Sequence, residues 1–254
     1  MDYLFDGSFK GMLTAVFDCF ERKDFNARLY PSASHQNSVF GIIHHVNTND
    51  AGAQRVWKGL MSRLPAIDVR KIYVAYLSEI PEVYDKLFRL MVDVFRNSGD
   101  VMKNYGDGDI LFITQVAKKV EREKHRMKAF IRFQKSKDQL YFATMEPDFN
   151  VLPLITRFFK ERYADQQWLI YDNKRRYGAY YDTKTLSEIE LNVLDITTDA
   201  MATDAVTLDE QEALYAALWK DYFKSTNIAS RKNTRLHVRH VPKRYWRYLT
   251  EKQV

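Results

Sequence analysis

The sequence predicts an α+β fold: a helical N-terminal half, a four-stranded antiparallel sheet covered by a helix, and a basic C-terminal segment. Three observations carry that expectation. Apolar residues recur at helical spacing across most of residues 34–96; the period drops to two at Ala129; and nine cations crowd the last stretch of the chain, from Lys224 onward, against Glu251 alone.

The elements follow in order. Tyr3, Leu4 and Phe5 read as a short strand ending in the turn Asp6-Gly7, after which Ser8 can cap a helix carrying Leu13, Val16, Phe17 and Phe20 on one face. Val56, Leu60 and Leu64 recur at four-residue spacing, Ile72, Tyr73, Tyr76 and Leu77 follow, and Pro81 sits where a helix can start ahead of Val83, Leu87, Leu90, Met91 and Val94. Gly106-Asp107-Gly108-Asp109 reads as a turn between helices, because two aspartates would repel a phosphate. Residues 113–127 make the next amphipathic helix, with Ile113, Val116, Ala117 and Val120 inward and Lys118, Lys119, Glu121, Arg122 and Glu123 outward. Strands are expected over 129–134, 140–145, 168–171 and 175–181, paired as two hairpins of one antiparallel sheet, with a helix over 151–163 between them. Thr207 and Glu210 spell a capping box for a last main helix carrying Leu214, Leu218 and Tyr222. The chain reads as one domain, 1–254, with a sub-division into a mainly helical 1–105 and a 106–254 part holding sheet and basic segment.

Composition excludes several classes. With 254 residues, 46% hydrophobic, the chain has ample material for a core, and no run approaches the length of a membrane span. The start, with Asp2 and Asp6, lacks the basic-then-apolar pattern of a signal segment, so a cytoplasmic protein is expected. Cys19 stands alone, which rules out a disulfide framework and a protein-held iron–sulfur cluster. The net charge of +6 resides wholly in the tail, where Leu236, Val238, Val241, Tyr245, Trp246, Tyr248 and Leu249 interleave the cations. Such a segment should fold rather than trail in solvent, and binding a polyanion is its natural use.

Chemistry is sparse. His44 and His45 are adjacent and diverge on a helix or a strand, while His237 and His240 lack a Cys or carboxylate close by, so no metal is expected and no cofactor is called for. Glu121 with Glu123 and Glu146 with Asp148 are carboxylate pairs of a kind common on solvated faces. His125-Arg126, ahead of Arg132, places an imidazole and two guanidiniums at a helix-to-strand junction, where a structural and a ligand-binding reading are equally open.

Four stretches together resemble a bacterial family. They are His125-Arg126-Met127 with Phe130-Ile131-Arg132-Phe133; Pro147 with Asn150-Val151-Leu152-Pro153; Trp168 with Ile170-Tyr171-Asp172, Arg175 or Arg176, Tyr177 and Gly178; and the end, with Trp219, Tyr222-Phe223, Asn227-Ile228, Arg231-Lys232-Asn233, His237, His240 and Pro242-Lys243-Arg244-Tyr245-Trp246. The likeness, running from Tyr3 to Leu249, is to a DNA metabolism protein family defined by a domain of unknown function. It implies association with a radical-SAM protein acting on DNA. Longer members carry a uracil-DNA-glycosylase-like domain, and this chain is expected to be the short form.

The leading expectation is therefore a DNA-binding accessory protein of DNA repair or modification, working with a radical-SAM partner enzyme and with no membrane. Arg231, Lys232, Arg235, His237, His240, Lys243, Arg244 and Arg247 would meet DNA, single- or double-stranded, with Trp246 or Tyr245 as a stacking surface. A second expectation is an enzyme acting on a nucleobase or nucleotide in a pocket near His125, Arg126, Arg132, Asp172 and Arg176. A third is a protein scaffold without DNA affinity, its tail aromatics serving as core.

Overall fold

The computed structural model describes residues 1–35, 42–97, 101–104, 106–190, 208–209, 211–226 and 234–253. Helix and strand are mixed, as an α+β fold requires, and the chain forms two compact units, Met1–Glu121 and Arg122–Val254.

The first unit opens with β1 (Asp2–Phe5), α1 (Phe9–Arg22) and β2 (Arg28–Pro31), a strand–helix–strand whose two strands lie side by side and parallel. Local chemistry sets the turn into the helix. Gly7 takes φ +84°, Asp6 accepts the Ser8 N–H, and the Ser8 hydroxyl accepts the Gly11 N–H at 2.9 Å as an N-cap. A third strand, β3 (Ile43–His45), adds to the other side of β1, again parallel, giving the order β2-β1-β3. Then come α2 (Asp50–Arg63), capped by Asn49, α3 (Ala66–Tyr76), and α4 (Pro81–Arg96) with the proline at its start. Asp85 of α4 accepts the Leu29 N–H at 3.0 Å, satisfying a donor on the edge of β2. Tyr3, Phe5, Met12, Leu29, Leu60, Ile72, Leu87 and Phe88 make the core. Strands β2 and β3 were not expected, and β3 falls within the stretch read as mostly helical; three or four residues are too few to express a period of two.

Helix α5 (Gly108–Phe130) runs through the division between the units. Asp107 accepts the N–H groups of Asp109 and Ile110, so the Gly106–Asp107 turn is a helix start and not an anion loop. The second unit continues with β4 (Gln134–Lys135), β5 (Tyr141–Met145), α6 (Leu152–Arg162), β6 (Trp168–Asp172), β7 (Tyr177–Tyr181), β8 (Leu186–Glu190), α7 (Glu212–Thr226) and α8 (Thr234–His240). Its sheet has the order β4-β5-β6-β7-β8 and is mixed.

The four-stranded antiparallel sheet expected from sequence is thus corrected. Both hairpin pairings are antiparallel, but β5 and β6 run parallel, Tyr141 opposite Trp168 through Met145 opposite Asp172, because α6 returns the chain to the end where β5 began. β8, an exposed edge strand, was not foreseen. Residues 129–133 are not a strand either: the helix persists to Phe130, and the Arg132 guanidinium donates to the Ala129 and Ile131 carbonyls at 2.7 and 3.2 Å, closing the helix end. The core lies in α6, β5 and β6, where Leu152, Ile155, Phe159, Trp168 and Ile170 are buried. Gly178 is fitted to β7, since a Cβ there would lie 3.0 Å from the Ile170 carbonyl oxygen. Thr207 and Glu210, the expected capping box, fall outside the described residues. No helix among the described residues is long and apolar enough to cross a membrane.

Candidate nucleic-acid interface and aromatic cavity

The basic segment is anchored by its aromatics. After α8, Pro242 leads into a 3₁₀ helix, Lys243–Tyr248, in which Tyr245 is buried at 1% exposure, with Leu249 equally buried just beyond. Tyr245 donates its hydroxyl to Glu123, which is also buried and accepts the Asp148 N–H at 3.0 Å and the Arg126 guanidinium at 3.3 Å. Burial, then the neighbouring Glu123, hold the Tyr245 hydroxyl well above its ordinary pKa. Glu123 was expected to face outward on its helix; a tail tyrosine and a loop N–H cover it instead. Tyr248 donates to Glu146 at 2.8 Å, and burial together with that carboxylate pushes it up to about 12. Glu251 takes the Arg132 guanidinium at 2.8 and 3.3 Å and the Trp219 indole N–H at 2.9 Å. Burial alone would raise its pKa, yet these donors bring it below the ordinary value.

The cations of the segment divide. Arg244 pairs with Asp148 and lies over the Tyr245 ring, 4.6 Å from its centroid; Arg247 pairs with Glu146 and lies 4.9 Å from the Tyr248 centroid. Their side chains remain 46% and 61% exposed. Arg235, Arg239, His240 and Lys243 are exposed. Trp246 is half-buried, donates its N–H to the Val241 carbonyl at 3.0 Å, and has the Lys243 and Lys252 ammonium groups 5.9 and 5.4 Å from its ring. His237 is half-buried beside Trp246, its Nε2 without a hydrogen-bond partner; burial, then Lys252, lower its pKa. Arg231 and Lys232 fall outside the described residues.

The residues expected to line a pocket are engaged separately. His125 is exposed on α5, and Arg126 donates to Glu123 and, at 3.5 Å, to the Arg239 carbonyl. Asp172, fully buried, accepts the Lys174 and Arg175 N–H groups at 2.9 and 3.2 Å and the Arg175 guanidinium at 2.9 Å, holding the β6–β7 turn. Burial raises its pKa, and Arg175 only partly opposes this. Arg176 is exposed at φ +59° in that turn. Of the five, Arg132 lines a cavity of the second unit.

That cavity, about 1030 Å³, lies between the end of α5, β4, α6, the start of β6 and α7. Phe133, Phe158, Phe159, Tyr163, Trp168 and Tyr215 line it, joined by Lys128, Arg132, Lys135 and Arg162 and by the acids Asp209 and Glu212. Phe133 packs edge-on against Phe159 and Tyr163 at 5.6 and 5.5 Å, and Trp168 lies behind them at 6.3–6.4 Å. The Trp168 indole N–H is buried and has no hydrogen-bond partner. Sequence reading passed over this group; its one signal is the density of rings from Phe158 to Trp168. Among the described residues no group of three His, Cys, Asp or Glu is placed to hold a metal ion.

Residues 81–251, from the start of α4 through the anchored tail, match the model of a family described as a domain of unknown function, DUF4130. The chain belongs to that family. The DUF4130 match takes in every residue of the cavity and of the tail anchor, and leaves out β1 to α3. The family's description assigns no activity. No curated protein and no solved structure matches the chain.

Proposed function

We propose that the protein binds DNA through the cationic face of residues 235–247 and serves a separate enzyme of DNA repair or modification. The observation that supports this is an exposed set of cations, Arg235, Arg239 and Lys243 with the outer parts of Arg244 and Arg247, on a segment anchored through Tyr245 and Leu249. Anchoring matters because a tail already ordered loses less conformational entropy when it meets a phosphate backbone. Arg244 and Arg247 each present a five-donor guanidinium and remain half in solvent, so a carboxylate partner does not use up their capacity for phosphate. The partner enzyme, of radical-SAM type, enters from the family resemblance; with Cys19 the single cysteine, the chain itself cannot hold the three thiolates of such a cluster.

Titration of labelled single- and double-stranded DNA at several salt concentrations tests the reading. The parent should lose affinity steeply with salt, and Arg235→Ala/Arg239→Ala/Lys243→Ala should flatten the slope by about 2–3 units at roughly 0.7–0.9 per phosphate contact. DNA affinity that is absent, or that ignores salt, overturns it and leaves the scaffold reading. Co-purification with the radical-SAM enzyme checks the accessory role separately.

A further inference from the structure

We infer, on the footing of that DNA-binding reading, that the cavity of the second unit is a nucleotide site: it takes the base of an unpaired nucleotide against its rings and the adjoining phosphate on its cations. Three features point to this ligand class.

The first is partly exposed ring surface. Phe133, Phe158 and Tyr163 are half-buried at the cavity wall, each touching a neighbouring ring or cation on one side, while Phe159 and Trp168 are buried. A flat heteroaromatic group removes such faces from water and stacks on them without regard to which base it is.

The second is the Trp168 N–H. The side chain is 1% exposed and its donor has no partner, a condition that buried polar groups rarely keep. Every nucleobase carries a ring nitrogen or carbonyl oxygen able to accept it, and a hydrocarbon ligand carries none.

The third is charge placed beside the rings. The Lys128 ammonium lies 4.5 Å from the Phe158 centroid and the Arg162 guanidinium 5.6 Å from that of Tyr163, with Lys135 on the same wall. Arg132 is already matched by Glu251. The remaining three cations share the lining with two acids, Asp209 and Glu212, and a phosphate next to a stacked base balances the one excess positive charge. The volume, at the upper end of the roughly 300–1,000 Å³ of ligand sites, admits a nucleotide with its neighbouring phosphates.

The experiment compares an oligothymidine strand with an abasic strand of equal length and charge, binding to the full chain, its Tyr163→Ala variant and its Trp168→Phe variant. Thermal melting of each protein accompanies the titrations. The parent should prefer the oligothymidine strand; Tyr163→Ala should cut that preference by about 5- to 100-fold, Trp168→Phe should reduce it while keeping a ring, and neither should change the salt slope. If variants that melt like the parent keep the full preference, or if the parent binds both strands equally and with steep salt dependence, the nucleotide site falls and the DNA-binding reading stands. If the parent binds neither strand, the DNA-binding reading falls. Thymidine monophosphate, followed by tryptophan quenching, then decides the site alone: binding lost in Tyr163→Ala upholds it, and no binding overturns it.

Discussion

The two units set similar aromatic clusters in different surroundings. In the first, Phe9 meets Trp57, Tyr73 and Tyr76 at 5.0–5.4 Å, Phe5 packs edge-on with Tyr84, and the Tyr76 hydroxyl donates to the Gly7 carbonyl at 2.6 Å, so rings and polar tips alike are engaged. Even Tyr3, whose hydroxyl lacks a hydrogen-bond partner, is enclosed in the core, where burial and Asp24 push it up to about 12. In the second unit Phe133, Phe159, Tyr163 and Trp168 touch one another at similar distances yet border a large cavity. Ring density alone therefore does not tell a core from a site. What marks the second group is the cavity beside it and the charge on that cavity's wall, since Phe9, Trp57, Tyr73 and Tyr76 are half-buried just as Phe133 and Tyr163 are.

The sharpest way to break this contrast is truncation in each unit. Phe5→Ala should cost about 3–5 kcal/mol, since it empties a filled core, whereas Tyr163→Ala should cost about 1–2 kcal/mol, since its ring is only half-buried and borders the cavity. Urea unfolding of both variants measures the difference, and equal losses would remove the distinction. Next in size, Tyr245→Phe leaves buried Glu123 short of a donor and should cost about 1–3 kcal/mol. Trypsin should then cleave the tail after Lys243 and Arg244 faster than in the parent. The smallest effect concerns pH. His237 binds its proton less readily folded than unfolded, so just below its ordinary value of 6.5 the unfolded chain holds more protons and stability falls as pH drops. Glu251 acts in the same direction at lower pH: its folded pKa is depressed, so its contribution is lost as pH falls through a range below 4.5. Melting temperatures from pH 7.5 to 5.5 should decline less in His237→Phe than in the parent.

Locally coded features were legible in the sequence. Ser8 caps α1, Pro81 opens α4 and Leu152–Arg162 is a helix, because each depends on neighbours a few residues away; the interleaved aromatics showed that the tail would be held, but not that distant Glu123 receives Tyr245. Features set by distant partners were not. The parallel pairing of β5 with β6 depends on where α6 delivers the chain, and the turn residues of the two hairpins say nothing about it. The alternation in Phe130-Ile131-Arg132-Phe133 is four residues long, too short to separate a helix end from a strand. Of the residues expected at a pocket, Arg132 lines the cavity and Asp172 holds its own turn; an aspartate that holds its own turn and one that meets a ligand look alike in one dimension. The cavity left only the density of rings from Phe158 to Trp168, since a void is a property of packing and not of spacing.

Glu123 and Tyr245 stand 122 residues apart in the chain. At ribosomal rates of about 5–20 residues per second, the carboxylate emerges roughly 6–24 seconds before the hydroxyl that will cover it. During that interval α5 can form and Arg126 and the Asp148 N–H can reach Glu123, but its place for the tyrosine hydroxyl stays open to solvent. The second unit thus closes late in synthesis. A ribosome stalled short of residue 245 would present that open surface to chaperones and proteases, while the first unit, which ends at Glu121, could already be folded.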